Sequence, residues 1–203
     1  MIAIIDYGVG NLFSLKSSLA MIGAQAVVSG KADVIRAADR IILPGVGAFG
    51  DARKKLADTG LDSVLLEEAA RGKPVMGICL GMQMLFDKSF EYGEHEGLGL
   101  IPGEVVPMAG RLPEGLKVPH IGWNALDIAK ADHPLMKYTK AGDCVYFVHS
   151  FYASDCEKDT LATSEYGIDV TAAVAKDNVM GCQFHPEKSG TVGLNILRAF
   201  CEL

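Results

Sequence analysis

The chain is predicted to be an α/β protein, with a central, mainly parallel sheet flanked by helices and extended by antiparallel strands. Three observations carry that reading. The first half alternates short, wholly apolar segments with amphipathic stretches, as strands buried under crossover helices do. From Leu98 to Ala175 the helical spacing gives way to closely spaced strand-like runs, and a last amphipathic stretch closes the chain.

The apolar segments Ile2–Ile5, Ala26–Val28, Arg40–Leu43 and Pro74–Ile78 are the expected parallel strands. Helices are expected over Asn11–Ile22, Asp51–Thr59 and Asp62–Arg71. In the first of these, Leu12, Leu15, Leu19 and Ile22 recur at helical spacing, Asn11 suits the N-cap and Gly23 the C-terminal stop. Leu100–Val106, Val118–Ile128, Cys144–Tyr152 and Thr171–Ala175 read as antiparallel strands laid on one sheet edge. Leu194, Leu197 and Phe200 put a helix over Thr191–Cys201, while the acidic segment Glu91–Gly97 reads as a solvated loop. No repeat, low-complexity tract or linker interrupts the chain, so residues 1–203 are expected to form one domain.

Composition narrows the function classes. The chain has 203 residues, 49% hydrophobic and 22% charged, with a formal charge of −6. That length buries roughly 70% of the unfolded surface. The negative charge argues against nucleic-acid or anionic-membrane binding, which needs a basic footprint. Five cysteines (79, 144, 156, 182 and 201), odd in number and without C-x-x-C spacing, suggest neither a disulfide framework nor a zinc site. A reducing cytoplasm is the expected location. Met1–Ile5 meets Asp6 at once, without a basic flank or cleavage site, and reads as a first strand rather than a signal peptide. No apolar run approaches the ~18 residues of a membrane span.

The chemistry concentrates in two segments. Gly77-Ile78-Cys79-Leu80-Gly81 follows the apolar run Pro74-Val75-Met76. A G-x-C-x-G at a strand end reads as a nucleophile elbow, whose glycines permit the tight turn that exposes Cys79. A helix from Gly81 to Phe86 or Asp87 would then aim its N–H groups at the sulfur and favour the thiolate. Taken alone, the pentapeptide is equally compatible with a small buried cysteine. The second segment, Val179 to Glu187, ends in Phe184-His185-Pro186-Glu187. Pro186 pushes His185 toward extended geometry, which puts His185 and Glu187 on one face. With the elbow, this fits a triad of Cys79 as nucleophile, His185 as general base and then acid, and Glu187 as the group fixing its tautomer.

G-I-C-L-G-M-Q with a later F-H-P-E resembles the class I (triad-type) glutamine amidotransferases. Asp6-Tyr7-Gly8-Val9-Gly10-Asn11-Leu12 with Ser14, and Pro119-His120-Ile121-Gly122-Trp123-Asn124, resemble more narrowly the glutaminase subunits of imidazole glycerol phosphate synthases. The resemblance spans Met1 to Leu203. It implies hydrolysis of glutamine to glutamate and ammonia, delivery of the ammonia to a (β/α)₈-barrel cyclase subunit in a heterodimer of histidine biosynthesis, and no cofactor or metal.

Other residues take their roles from the same resemblance. Leu43-Pro44-Gly45-Val46-Gly47 could be an ordinary strand-to-helix turn. The resemblance implies instead an oxyanion donor there, the Val46 amide, paired with the amide of Leu80 and able to point away until a partner acts. Gln83, one turn past Cys79, together with Gly45, His149, Ser150 and Phe151, is implied to bind glutamine; strand-end polarity is the alternative for His149 and Ser150. Trp123, the only tryptophan, marks a partner interface with His120 and Asn124 if exposed, and core packing if buried. Competing readings are a glutaminase of the anthranilate, GMP or pyridoxal phosphate synthases, a cysteine peptidase on the same elbow, and a non-catalytic interaction subunit.

Overall fold

A computed structural model describes residues 1–203. Four parallel strands form first: β1 (Ile2–Ile5), β2 (Ala26–Ser29), β3 (Arg40–Leu43) and β4 (Val75–Ile78). Between and after them come α1 (Leu12–Met21), α2 (Ala32–Ala37), α3 (Phe49–Asp58), α4 (Leu61–Ala70) and the one-turn α5 (Leu80–Gln83). The middle of the chain gives β5 (Lys88–Ser89), β6 (His95–Glu96), β7 (Glu104–Pro107), β8 (His120–Ala125), β9 (Asp127–Ile128), β10 (Cys144–His149) and β11 (Phe151–Ser154). Then follow β12 (Thr160–Glu165), β13 (Asp169–Lys176), β14 (Val179–Cys182) and α6 (Gly190–Cys201).

The main sheet runs β2-β1-β3-β4-β14-β13-β12-β9. Its first five strands are parallel and the last three antiparallel. Alternate side chains feed the two faces. Ala3, Ile5, Ile41, Leu43 and Val75 join the core under α2, α3 and α4, while Ile2, Ile4, Ile42, Met76 and Ile78 join the core under α1 and α6. Each fully buried isoleucine contributes about 1.5–3 kcal/mol. No helix is long and apolar enough to cross a membrane.

Several expectations are corrected. The run Cys144–Tyr152 breaks at Ser150 into β10 and β11, and Val118–Ile128 breaks at Leu126 into β8 and β9. β8 and β10 pair only with each other, and β11-β7-β5-β6 form a separate small sheet. Of the four expected edge runs, only Thr171–Ala175 (in β13) and the short β9 reach the main sheet. Strand β12 and helix α2 were not anticipated. The elbow helix stops at Gln83 because the Leu85 and Phe86 N–H groups switch to donating to the Met82 and Gln83 carbonyls, three residues back. Asn11 precedes α1 but makes no side-chain cap bond, whereas Gly23 does adopt the left-handed stop (φ +76°).

Candidate active site

Cys79 stands between β4 and α5 at φ +54°, ψ −112°. For a residue with a Cβ this left-handed conformation costs ~1–3 kcal/mol and is characteristic of functional turns. The flanking glycines make the turn possible. A Cβ on Gly77 would lie 2.6 Å from the Gly81 carbonyl oxygen and the Met82 nitrogen, and one on Gly81 would collide with the Leu43 carbonyl. Gly45 closes the same packing, since a Cβ there would come within 2.7 Å of the Gly81 nitrogen. The end of β3, the glycine loop and the elbow therefore fit as one unit.

Strand pairing brings the second half of the site to the first. β14 runs parallel to β4 with Cys182 opposite Ile78, and the Cys79 N–H donates to the Cys182 carbonyl at 2.8 Å. Three residues on, the His185 N–H donates to the Tyr146 carbonyl at 3.0 Å, and Ser189 Oγ donates to the His185 carbonyl at 2.6 Å. His185 Nδ1 lies 2.9 Å from Glu187 Oε1, with both side chains almost fully buried. Pro186–Lys188 is a single 3₁₀ turn. That turn, rather than a continuing strand, brings Glu187 back to the imidazole.

Burial by itself would lower the His185 pKa. It is outweighed by the hydrogen bonds to Cys79 and Glu187 and by their negative charge, which hold it up at about 10. The imidazole is thus kept protonated beside the sulfur and ready to give a proton to a leaving amine. Gln183 Nε2 lies 3.7 Å from Cys79 Sγ on another side.

Cys79 and His185 open onto a cavity of about 310 Å³. This is the small end of the ~300–1,000 Å³ range of ligand pockets, a size for an amino acid rather than a dinucleotide. Its walls include Val46, Gly47, Leu80, Gln83, Glu91, His149, Ser150 and Phe151. Gly45 is not on the wall; it lies behind it, against the elbow. Gln83 Nε2 is already committed, to the Phe151 carbonyl at 2.9 Å and Gln183 Oε1 at 3.0 Å, so it braces the wall. Leu80 begins α5 and its N–H has no intrahelical acceptor. Val46, outside every helix and strand, donates to no backbone acceptor.

Glu91 is the residue that the sequence reading assigned to a solvated loop. It turns inward, accepts the Phe49 N–H at the start of α3 at 2.7 Å, and lines the cavity. Burial raises its pKa, against the opposing pull of the Phe49 N–H and His95. No local signal marks this role, since its place comes from the packing of loop 91–97 on α3.

Trp123 is 55% exposed, so the core alternative fails. Ile121 beside it on β8 is 57% exposed, and Phe13, on the α1 helix that packs on the Pro186–Lys188 turn, is 84% exposed. His120, expected at the surface with them, is fully buried between the rings of Phe147 and Tyr166, because alternate β8 side chains face inward.

A buried cysteine on a strand-to-helix elbow, facing a histidine braced by a carboxylate in a small cavity, is the apparatus of an acyl-transferring amidohydrolase. Residues 3–202 match the family glutamine amidotransferase class-I. The chain belongs to that family. It is 52% identical over 204 residues to imidazole glycerol phosphate synthase subunit HisH of Caldanaerobacter subterraneus, covering 100% of this chain and 98% of that one. It is 48% identical to the protein of the same name from Wolinella succinogenes, with both chains covered completely. Among solved structures, a glutamine amidotransferase superposes with a TM-score of 0.77 at 20% identity, over 100% of this chain and 98% of that one. PurLQS from Thermotoga maritima gives 0.76 at 21% identity, over 99% and 97%. At such identities these structures speak for the fold alone.

Proposed function

We propose that this chain is the glutaminase subunit of an imidazole glycerol phosphate synthase. It hydrolyses glutamine to glutamate and ammonia and passes the ammonia to a (β/α)₈-barrel cyclase subunit in histidine biosynthesis, in the cytoplasm, where its five free cysteines stay reduced. The observation that carries the chemistry is the Cys79 elbow beside the 2.9 Å His185–Glu187 pair in a cavity of amino-acid size. Cys79 attacks the side-chain amide carbon, the C–N bond breaks, and His185 protonates the departing nitrogen. Water deprotonated by His185 then cleaves the γ-glutamyl thioester and regenerates the thiol.

In this reading the Glu91 carboxylate, on the cavity wall, pairs with the α-ammonium of glutamine, and the amides of Leu80 and Val46 receive the oxyanion. Losing one such donor costs roughly 10²–10³ in rate, so turning the Val46 peptide in or out is a sufficient on-off control. Gly47, at φ +91°, provides the freedom for that turn. The exposed face of Ile121 and Trp123, with half-buried Asn124 beside them, is where the cyclase subunit would dock.

Two measurements test this reading. Cys79→Ala should abolish glutamine-dependent synthesis by the complex while ammonium salts still support it. Near-normal glutamine turnover in that variant would remove Cys79 from the mechanism. Glutaminase rates of the chain alone, in the complex, and in the complex with acceptor ribotide should rise in that order. Three equal rates would remove the switch and leave the triad chemistry standing.

A further inference from the structure

A buried run of polar contacts leads from the exposed edge of β8 to the cavity. Asn124 Nδ2 donates to the Glu165 carbonyl at 3.1 Å, and Asn124 Oδ1 lies 2.9 Å from His120 Nε2. His120 Nδ1 meets His149 Nε2 at 3.0 Å, and His149 Nδ1 meets the Phe151 carbonyl at 2.9 Å. That carbonyl also accepts Gln83 Nε2, so the run ends on the brace of the cavity wall.

Both ends are backbone carbonyls, which only accept. The Phe151 carbonyl therefore requires the proton on His149 Nδ1. A neutral His149 then presents a bare Nε2, so that contact is made only when His120 carries its proton on Nδ1. So protonated, a neutral His120 is left with a lone pair at Nε2, facing the lone pairs of Asn124 Oδ1; with its proton on Nε2 instead, it serves Asn124 and leaves His149 Nε2 without a donor. Turning the Asn124 amide over mends that contact but sets its oxygen against the Glu165 carbonyl. With neutral rings, four contacts share three protons. An imidazolium would supply the fourth, but His120 and His149 are both buried, and burial lowers both pKa values, that of His149 to about 4. One contact must stay open in the chain by itself, to Asn124 or to His149 according to which ring nitrogen of His120 carries the proton.

The Asn124 end of the run sits where a partner can reach it. Glu165 is exposed and Asn124 half-buried, next to exposed Trp123. We propose that the Asn124 amide is a rotary positioning element. A docked partner that donates a hydrogen bond to the Glu165 carbonyl releases the amide to turn, and its Nδ2 then donates to His120 Nε2. Every contact from the partner face to the Phe151 carbonyl is then made at once, with both rings neutral. His120 and Asn124 act through His149 and Phe151, without touching substrate. The proposal rests on the glutaminase reading and on docking at the β8 face.

The test uses the full chain with ¹⁵N-labelled histidine rings, free and in complex with the cyclase subunit. In the free chain His120 should divide its proton between Nδ1 and Nε2; in the complex both rings should carry it on Nδ1 alone. The same single tautomer in both states, or an imidazolium in either, overturns the proposal. In the complex, Asn124→Leu should lower the stimulated glutaminase kcat about tenfold, within the ~5–150-fold range of measured site-to-site couplings. The basal rate of the free chain should stay within about twofold, below the span such couplings occupy. Full stimulation of Asn124→Leu also overturns it. Should that variant fail to fold, the ring spectra of the parent protein still decide. A parent complex that hydrolyses no glutamine would sink the glutaminase reading by itself, while the tautomer comparison would still judge the contact network.

Discussion

Replacing Glu187 by glutamine isolates the charge of the proposed triad's third member from its shape. The amide oxygen of the new side chain can still accept the His185 Nδ1 proton at the 2.9 Å position, so the ring keeps its tautomer and orientation. What is lost is the anion. His185 sits at about 10, above its ordinary 6.5, with burial opposing and with Cys79 and Glu187 supporting the cation. At about 1.4 kcal/mol per pH unit, removing one of two anionic supports forfeits roughly half of that stabilisation, ~2 kcal/mol. The glutaminase kcat of the complex should then fall about 30-fold, and the alkaline limb of the rate profile should move down by ~1–2 pH units.

Stability should follow the same sign. A histidine whose folded pKa is raised contributes most below 6.5, and the contribution fades as pH climbs toward 10. Thermal melts of the parent protein should therefore weaken over that window more than those of Glu187→Gln. The assay is steady-state glutamine turnover from pH 6 to 10, with melts across the same range. An unchanged kcat together with an unmoved alkaline limb would refute the electrostatic role of Glu187 and leave a Cys–His dyad.

Three further outcomes are expected. Glu91→Gln should raise the glutamine KM about 10- to 100-fold with a smaller effect on kcat, the span of one charge-assisted hydrogen bond of ~1.5–3 kcal/mol; an unchanged KM would detach Glu91 from the substrate. Gly81→Ala should destabilise the fold by about 3 kcal/mol or prevent folding, because the Leu43 carbonyl it would strike is fixed in the sheet, and a melting temperature within a few degrees of the parent would contradict the close packing. Trp123→Ala should weaken the complex about 30-fold, as loss of a ~2 kcal/mol interface anchor does. Its melting temperature should not change, because the ring is 55% exposed.

The parts of the fold legible in the sequence are those whose local pattern has one solution. Ile2–Ile5 and Arg40–Leu43 are strands with the expected bounds because such short apolar runs suit only burial on both faces. The elbow is legible because its glycines admit only a tight turn, and His185 is extended as Pro186 dictates (φ −98°, ψ +98°), but the 3₁₀ turn over Pro186–Lys188, where an extended segment is expected, is not. β12 escaped notice because Thr160-Leu161-Ala162-Thr163-Ser164-Glu165 has little alternation, and its strand state comes from pairing with β13 on one side and β9 on the other. The turn at Ser150 was equally silent, since the run from Cys144 to Tyr152 is apolar throughout except at His149 and Ser150. Glu91 could not be assigned from the sequence, because its carboxylate reaches the cavity only through a contact with Phe49, 42 residues away.

The destination of β8 and β10, expected on the edge of the main sheet and found in a ribbon of their own, bears most directly on how a docked partner would reach the site. Had these strands extended the main sheet, Trp123 would lie several strands away from the histidine. As a separate ribbon, they lean on the histidine segment directly. The Tyr146 carbonyl of β10 accepts the His185 N–H, and Ser189 Oγ receives the Tyr146 N–H at 2.9 Å, so both backbone groups of Tyr146 are spent on the segment that carries His185 and Glu187. The Tyr146 ring meets the Trp123 ring edge-on at 6.1 Å, and Lys188 Nζ lies over it at 5.8 Å. Trp123 is thus linked to the His185 segment through one residue and two hydrogen bonds, one to the His185 backbone and one to the Ser189 side chain, while Cys79 is held by β4 and the glycine packing. A displacement of the ribbon that reached His185 but not Cys79 would change their separation, the quantity on which proton transfer depends.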